Sequence, residues 1–194
     1  MRLFGRKSRE SVRDDLLRKL ARGGIGAEIG VFRGDFSERI LLIARPRRLH
    51  LIDPWKFEPG AAYDQSLYGR GHVKGQAAMD AIHDSVRERF DHEIQVGTVM
   101  LHRSGSAEAA AQFDDGYFDW VYIDGNHLYE FVLRDLENYS LKVKPGGYIA
   151  GDDYGVRGWW LDGVTRAVEE FAARGGYEKT LVRGGQFVLR KSKR

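Results

Sequence analysis

GAEIGVFRGDFS, residues 26–37, is the stretch whose reading decides the fold. Residues 27–31 are an apolar run of strand length, Gly30 and Gly34 allow a tight turn, and FSERILLIA behind them has the spacing of an amphipathic helix. A strand, a glycine turn and a helix in that order let a ligand approach the backbone and aim free helix N–H groups at it. Glu28 narrows the ligand: a carboxylate in the turn repels phosphate and favours a cationic or hydroxyl-bearing group. The GxGxxG pattern of a pyrophosphate loop is absent, because Gly24 and Gly26 precede the strand instead of following it. The turn could also do no more than pack helix on strand, so the flanking residues must separate the two readings.

Upstream, residues 11–22 place Val12, Leu16, Leu17 and Leu20 at helical spacing behind Ser11, and Gly23 and Gly24 end the run. Downstream, RRLHLIDPW (47–55) reads as a second strand closed by Asp53 and Pro54. An acid at the tip of the strand after a glycine turn is where an α/β nucleotide fold grips ribose hydroxyls; a turn cap ahead of Pro54 is the other reading of Asp53. Residues 55–77 are glycine-rich and carry Trp55, Phe57, Tyr63 and Tyr68, which suits either a lid over a substrate or an ordered loop with aromatic pegs. A helix over 78–96 follows, with Met79, Ile82, Val86 and Phe90 on its apolar face, Gly97 as its cap, and His83 and His92 at the surface.

The second half repeats the alternation. TVMLHR (98–103) is a third strand, with Ser104-Gly105-Ser106 turning into a helix over 107–113. Residues 118–123 form a buried strand ending in Asp124-Gly125, and 128–141 an amphipathic helix. VKPGGYIAGDDY (143–154) gives a turn at 145–147, a strand, and the adjacent acids Asp152 and Asp153. A helix over 159–173 and a hairpin KTLVR-GG-QFVLR close the chain. The expected fold is a single α/β domain: a Rossmann-like, doubly wound, mostly parallel sheet with an antiparallel C-terminal hairpin.

Composition bounds the function. With 194 residues, 42% hydrophobic, the chain can bury one good core, and without cysteine it has no disulfide, thiolate metal site or cysteine nucleophile. No apolar run reaches the length of a membrane span and MRLFGRKSRE lacks the core of a signal peptide, so a cytoplasmic protein with no membrane partner is expected. The pI of about 9.1 would suggest nucleic acid, but the charge is uneven. Residues 1–22 carry eight basic and three acidic side chains, residues 179–194 six and none, and the body between them 17 and 25. The ends therefore read as solvated basic tails, the first a basic helix ahead of a domain spanning 23–194, and the acidic body argues against a nucleic-acid groove. Self-association into a homo-oligomer stays open.

The order E-x-G-x-x-x-G, an acid closing the second strand, FDxVxIDGxHxY and KPGGxxxxDDY resembles the class I S-adenosylmethionine-dependent methyltransferases, and within them the small catechol-type and macrocin-type O-methyltransferases. The resemblance covers roughly residues 23–190. It implies that Glu28, Gly30, Phe32, Gly34 and Ser37 surround the methionine part of S-adenosylmethionine, that Asp53 holds the ribose hydroxyls, and that Ser106 lies beside the adenine. Asp124, Asp152 and Asp153 match positions that hold a divalent metal in metal-dependent members. The turn carries one more residue between Gly34 and Ser37 than the catechol-type pattern, and the second acid of the terminal pair is often Asn there.

The residues agree with this on their own chemistry. Three carboxylates at neighbouring strand ends repel one another unless a cation or protons intervene, and oxygen ligands suit Mg²⁺, Ca²⁺ or Mn²⁺. A divalent ion there would acidify the hydroxyl of a small-molecule acceptor. Without a metal, the three acids would cap the loops and helix that follow. His127 is a candidate general base beside the candidate catalytic acid Asp124, or else a cofactor contact. A nicotinamide-dependent oxidoreductase and a non-catalytic or RNA-directed binding protein are the alternatives from other classes.

Overall fold

The strand that carries the glycine turn lies inside the sheet, and residues 25–29 are buried throughout, Glu28 included. The computed structural model describes residues 9–20 and 22–193. β1 (Ile25–Ile29) pairs in parallel with β2 (Arg48–Ile52) on one side and β4 (Phe118–Ile123) on the other. β3 (Val99–His102) extends the sheet beyond β2, and β5 (Val143–Gly151) lies beside β4, all in parallel. β6 (Tyr177–Arg183) and β7 (Gln186–Lys191) form the hairpin, with β7 antiparallel to both β5 and β6. The order is β3-β2-β1-β4-β5-β7-β6. Strand order reverses between β1 and β4, which opens a crevice at their carboxyl ends.

Helices cover both faces. On one face α6 (Tyr129–Lys142) and α7 (Gly163–Ala173) bury Val132, Leu136, Tyr139, Val164, Val168 and Phe171 against Ala27, Ile29, Val121 and Ile123, with the short α5 (Ser106–Ala110) beside them. On the other, α1 (Arg9–Leu17), α2 (Asp35–Ile43) and α3 (Gln76–Arg89) bury Leu16, Leu17, Ile40 and Val86 against Leu49, Leu51, Trp120 and Tyr122. Each such side chain contributes about 2 kcal/mol of apolar burial.

Several expected boundaries shift for identifiable reasons. The helix expected over 78–96 breaks at Phe90, giving α3 and the short α4 (Asp91–Gln95), because Phe90 turns inward to pack on the Gly34 turn. His83, expected at the surface, lies edge-on to Trp55 with ring centroids 5.0 Å apart and its side chain 15% exposed. The turn expected at 145–147 is instead a bulge inside β5, where the pairing register with β4 slips between Phe118 and Trp120; proline lacks the N–H that a ladder needs. α7 begins at Gly163 instead of 159, since Trp159 and Trp160 turn toward His127.

The basic ends are corrected most. Residues 179–183 and 186–191 lie in the strands of the expected hairpin, so that end is not the solvated tail that its charge suggested. At the other end α1 is docked through Val12, Leu16 and Leu17 and an Asp14–Arg39 ion pair, and the turn after it through Leu20. Residues 1–8, part of the expected N-terminal basic segment, lie outside the described residues. No helix among the described residues is long and apolar enough to cross a membrane.

Candidate active site

The carboxyl ends of β1, β2, β4 and β5 open on a cavity of about 720 Å³, a size that suits a small-molecule ligand. Its floor is the glycine turn. Gly30 has φ +88°, and a Cβ there would stand 2.2 Å from the carbonyl oxygen of Asp124, so only glycine lets the ends of β1 and β4 meet. Gly34, at φ +79°, opens α2. Phe32, Trp55 and Asp153 follow β1, β2 and β5, and all three take positive φ (50°, 41° and 62°) without being glycine. Such strain costs on the order of 1–3 kcal/mol per residue and clusters at functional sites.

Glu28 is 1% exposed and accepts a 2.5 Å hydrogen bond from the Ser37 hydroxyl. Burial pushes its carboxyl up to about 8, against the pull of Ser37 and Arg13, so in the free protein it is neutral at pH 7. Ser37 is fully buried behind Glu28 and off the cavity wall; it can act on a ligand only through that acid.

Asp53 is saturated by the protein. One of its oxygens accepts the N–H groups of Val31 and Phe32, both at 2.9 Å, and the hydroxyl of Tyr68; the other accepts the N–H of Trp55 at 2.7 Å. Burial still raises its pKa. It thus caps the turn before Trp55 and also reaches the cavity. The 55–77 loop divides: Trp55 is fully buried and donates to the Phe32 carbonyl, while Tyr63, Leu67 and Tyr68 face the cavity.

Ser106 lines the far end and donates to Asp135 at 2.5 Å. Burial lifts Asp135 to about 6. This buried acid was legible only as a polar residue inside the stripe Val132, Leu136, Tyr139 of α6.

Asp124, Asp152 and Asp153 do come together, but the protein already supplies cations. Arg9 pairs with Asp152 and Asp153, and Arg13 with Asp152 and, at 2.6 Å, with Asp124. Arg13 also lies 4.7 Å over the Phe36 ring. His127 Nε2 stands 2.8 Å from Asp153 and 3.4 Å from Asp124. Burial lowers the imidazole pKa, but those two carboxylates outweigh it and raise it to about 9. Burial likewise raises Asp152, while His127 and Arg9 overcome burial to hold Asp153 below the usual carboxylate range. Asp124, His127 and Asp153 offer ligand atoms within 4.8 Å of one another, whereas Asp152 is turned to Gln186 and the arginines. Above the acids stand Trp160, stacked on His127 at 4.6 Å, and Trp159, edge-on to Tyr63.

Sequence reasoning missed Arg9 and Arg13. Their signal is positional: residues 9, 13, 16 or 17, and 20 form one helical stripe, polar at its start and leucine after.

Residues 27–154 match the family described as "Methyltransferase domain". The chain belongs to this methyltransferase family. Among solved structures, the O-methyltransferase NovP is 21% identical with a TM-score of 0.62, over 95% of this chain and 77% of that one. An O-methyltransferase from Bacillus cereus in complex with SAH is 15% identical with a TM-score of 0.61, over 94% and 79%. A methyltransferase from Geobacter sulfurreducens is 14% identical with a TM-score of 0.59, over 96% and 80%. At such identities these structures show the methyltransferase to share their fold. No curated protein matches it.

Proposed function

We propose that the protein transfers the methyl group of S-adenosylmethionine to a hydroxyl of a small molecule or sugar, assisted by a divalent cation such as Mg²⁺ or Mn²⁺. One observation carries this reading: Glu28, Asp53 and the Asp124–His127–Asp153 group all open on one cavity. The O-methyltransferase neighbours support an oxygen acceptor, and the SAH in one of them supports the cofactor.

The residues fit the methyl donor. Its ammonium and sulfonium are cationic, and the buried, neutral Glu28 would ionise beside them; Phe32, Gly30 and Gly34 would line its methionine part. Asp53 would hold the ribose hydroxyls in exchange for Tyr68, and Ser106 would border the adenine. The acid cluster fits a hard cation through the converging carboxylates of Asp124 and Asp153. Asp124 and Asp153 would hold it, with His127 beside them, while Asp152 stays turned to Gln186 and the arginines. Bound there, the ion would lower the pKa of the acceptor hydroxyl.

The chain's other residues would align and protect. Glu28 and Asp53 fix the donor, so that bringing hydroxyl and methyl group together costs little further entropy. Tyr63, Trp159 and Trp160 wall the acceptor and exclude water. His127 Nε2 is the atom that would take the hydroxyl proton, a role open to it only when the two flanking carboxylates are otherwise engaged.

Calorimetry should detect binding of S-adenosylhomocysteine and none of NAD or RNA, and label from S-adenosylmethionine should appear in a pool of hydroxyl acceptors. Chelation should stop turnover and Mg²⁺ restore it. Full activity of a metal-free protein in excess EDTA would remove the cation, and absence of S-adenosylhomocysteine binding would overturn the reading as a whole.

A further inference from the structure

α1 joins two unlike halves. Its second half is anchored by Leu16 and Leu17, which are 2% and 0% exposed. Its first two turns bury Val12, which is 4% exposed, and are otherwise tied down mainly by ion pairs: Arg9 to Asp152 and Asp153, Arg13 to Asp124 and Asp152. Both arginines line the cavity, and Arg9 is half exposed.

A divalent cation and these guanidinium groups would neutralise the same carboxylates. Arg13 holds Asp124 through Oδ2 and Arg9 holds Asp153 through Oδ1, while Asp124 Oδ1 and Asp153 Oδ2 face His127, so an ion at those inner oxygens would share each carboxylate with a guanidinium and be repelled by it. Arginine does not lose its charge, so it can relieve that repulsion only by moving away. Leu16 and Leu17 keep the helix docked while the two arginine side chains leave, and lifting the first two turns as well would expose Val12.

We infer that residues 9–13 are an ionic strap closing the acid cluster of the free enzyme, and that a divalent cation and the strap compete for Asp124 and Asp153. This rests on the cation reading given above. The strap then admits acceptor and metal together, and without metal it holds three mutually repelling acids in place. A strap closed nine-tenths of the time weakens apparent cation affinity about tenfold, because only the open fraction binds.

Two measurements test it, neither of them turnover. Mn²⁺ binding, followed by the electron paramagnetic resonance of the free ion, should be about tenfold or more tighter in Arg9→Gln/Arg13→Gln than in the parent. The chain has no cysteine, so Glu10→Cys, at an exposed position of α1, takes a single nitroxide label with both arginines intact. Saturating Mg²⁺ should increase the label's mobility. Equal Mn²⁺ affinity in parent and double variant would overturn the strap and leave the cation reading standing, as would an immobile label under Mg²⁺ that demonstrably binds. Binding of Mn²⁺ by neither protein would instead remove the cation reading and the strap with it. If the double variant does not fold, the label experiment decides alone.

Discussion

At the β1–β2 end of the cavity, Asp53 takes backbone hydrogen bonds from Val31, Phe32 and Trp55, no more than 22 positions away. At the β4–β5 end, Asp124, Asp152 and Asp153 take ion pairs from Arg9 and Arg13, at least 111 positions back. The first kind of partner comes with the turn itself and cannot leave without unfolding it. The second is a pair of side chains on a separate helix, free to be exchanged. The β1–β2 end, the proposed donor end, is therefore built as a fixed socket, and the β4–β5 end, the proposed acceptor end, as a set of charges whose counter-ions can change.

The strongest way to break this contrast is at the acceptor end. Asp153→Ala should lower kcat by about 10²–10⁴, the range for a group that activates a reacting hydroxyl, while calorimetry shows S-adenosylhomocysteine affinity nearly unchanged. A parallel loss of ligand affinity would mean that the two ends are not separable. At the donor end, Asp53→Ala should weaken S-adenosylhomocysteine by about 1–3 kcal/mol, or roughly 5–150-fold. Unchanged affinity in that variant would take Asp53 out of the socket.

Glu28 sharpens the comparison through a proton. Its carboxyl, held at about 8 by burial, keeps its proton at pH 7 until a cationic ligand arrives and lowers it again. Binding should therefore release up to one proton near pH 7 and none well above pH 8, where the acid is already ionised. Titrations in buffers of different ionisation enthalpy read this directly, and a binding enthalpy independent of buffer would contradict it.

A smaller effect concerns stability away from the cavity. His50 on β2 contacts His102 at 2.9 Å and the Tyr117 hydroxyl at 3.1 Å, and burial lowers its pKa to about 3. The unfolded chain takes up that proton near pH 6.5 and the folded one only near 3, so this site makes stability fall as pH drops from 6.5 toward 3. Chemical denaturation across that range should show the decline, and His50→Phe should flatten it. The smallest expected change is in the loop: proteolysis near residues 63–68 should slow when S-adenosylhomocysteine engages Asp53, and identical cleavage would mean that Tyr68 does not move.

The same contrast governs what was legible in the sequence. The doubly wound sheet, the C-terminal hairpin and the acids at three strand ends follow from local patterns, namely apolar runs, glycine turns and Asp-Pro, Asp-Gly or Asp-Asp tips. The cap on α3 at Phe90 and the bulge at Pro145–Gly147 depend on what packs opposite, so periodicity alone missed them. The arginines of α1 read as solvent charge because nothing near them in sequence is their partner. Only the fold brings residue 13 to residues 124 and 152.

β7 is the final strand in chain order, yet it lies inside the sheet, between β5 and β6. Gln186 at its start reaches both the Tyr122 hydroxyl and Asp152. During synthesis, then, every acid of the cavity exists before the strand that braces one of them. Until residue 191 has left the ribosome, β5 offers a bare edge to any neighbouring chain. Premature termination after β6 should accordingly yield an aggregating polypeptide instead of a weakened enzyme.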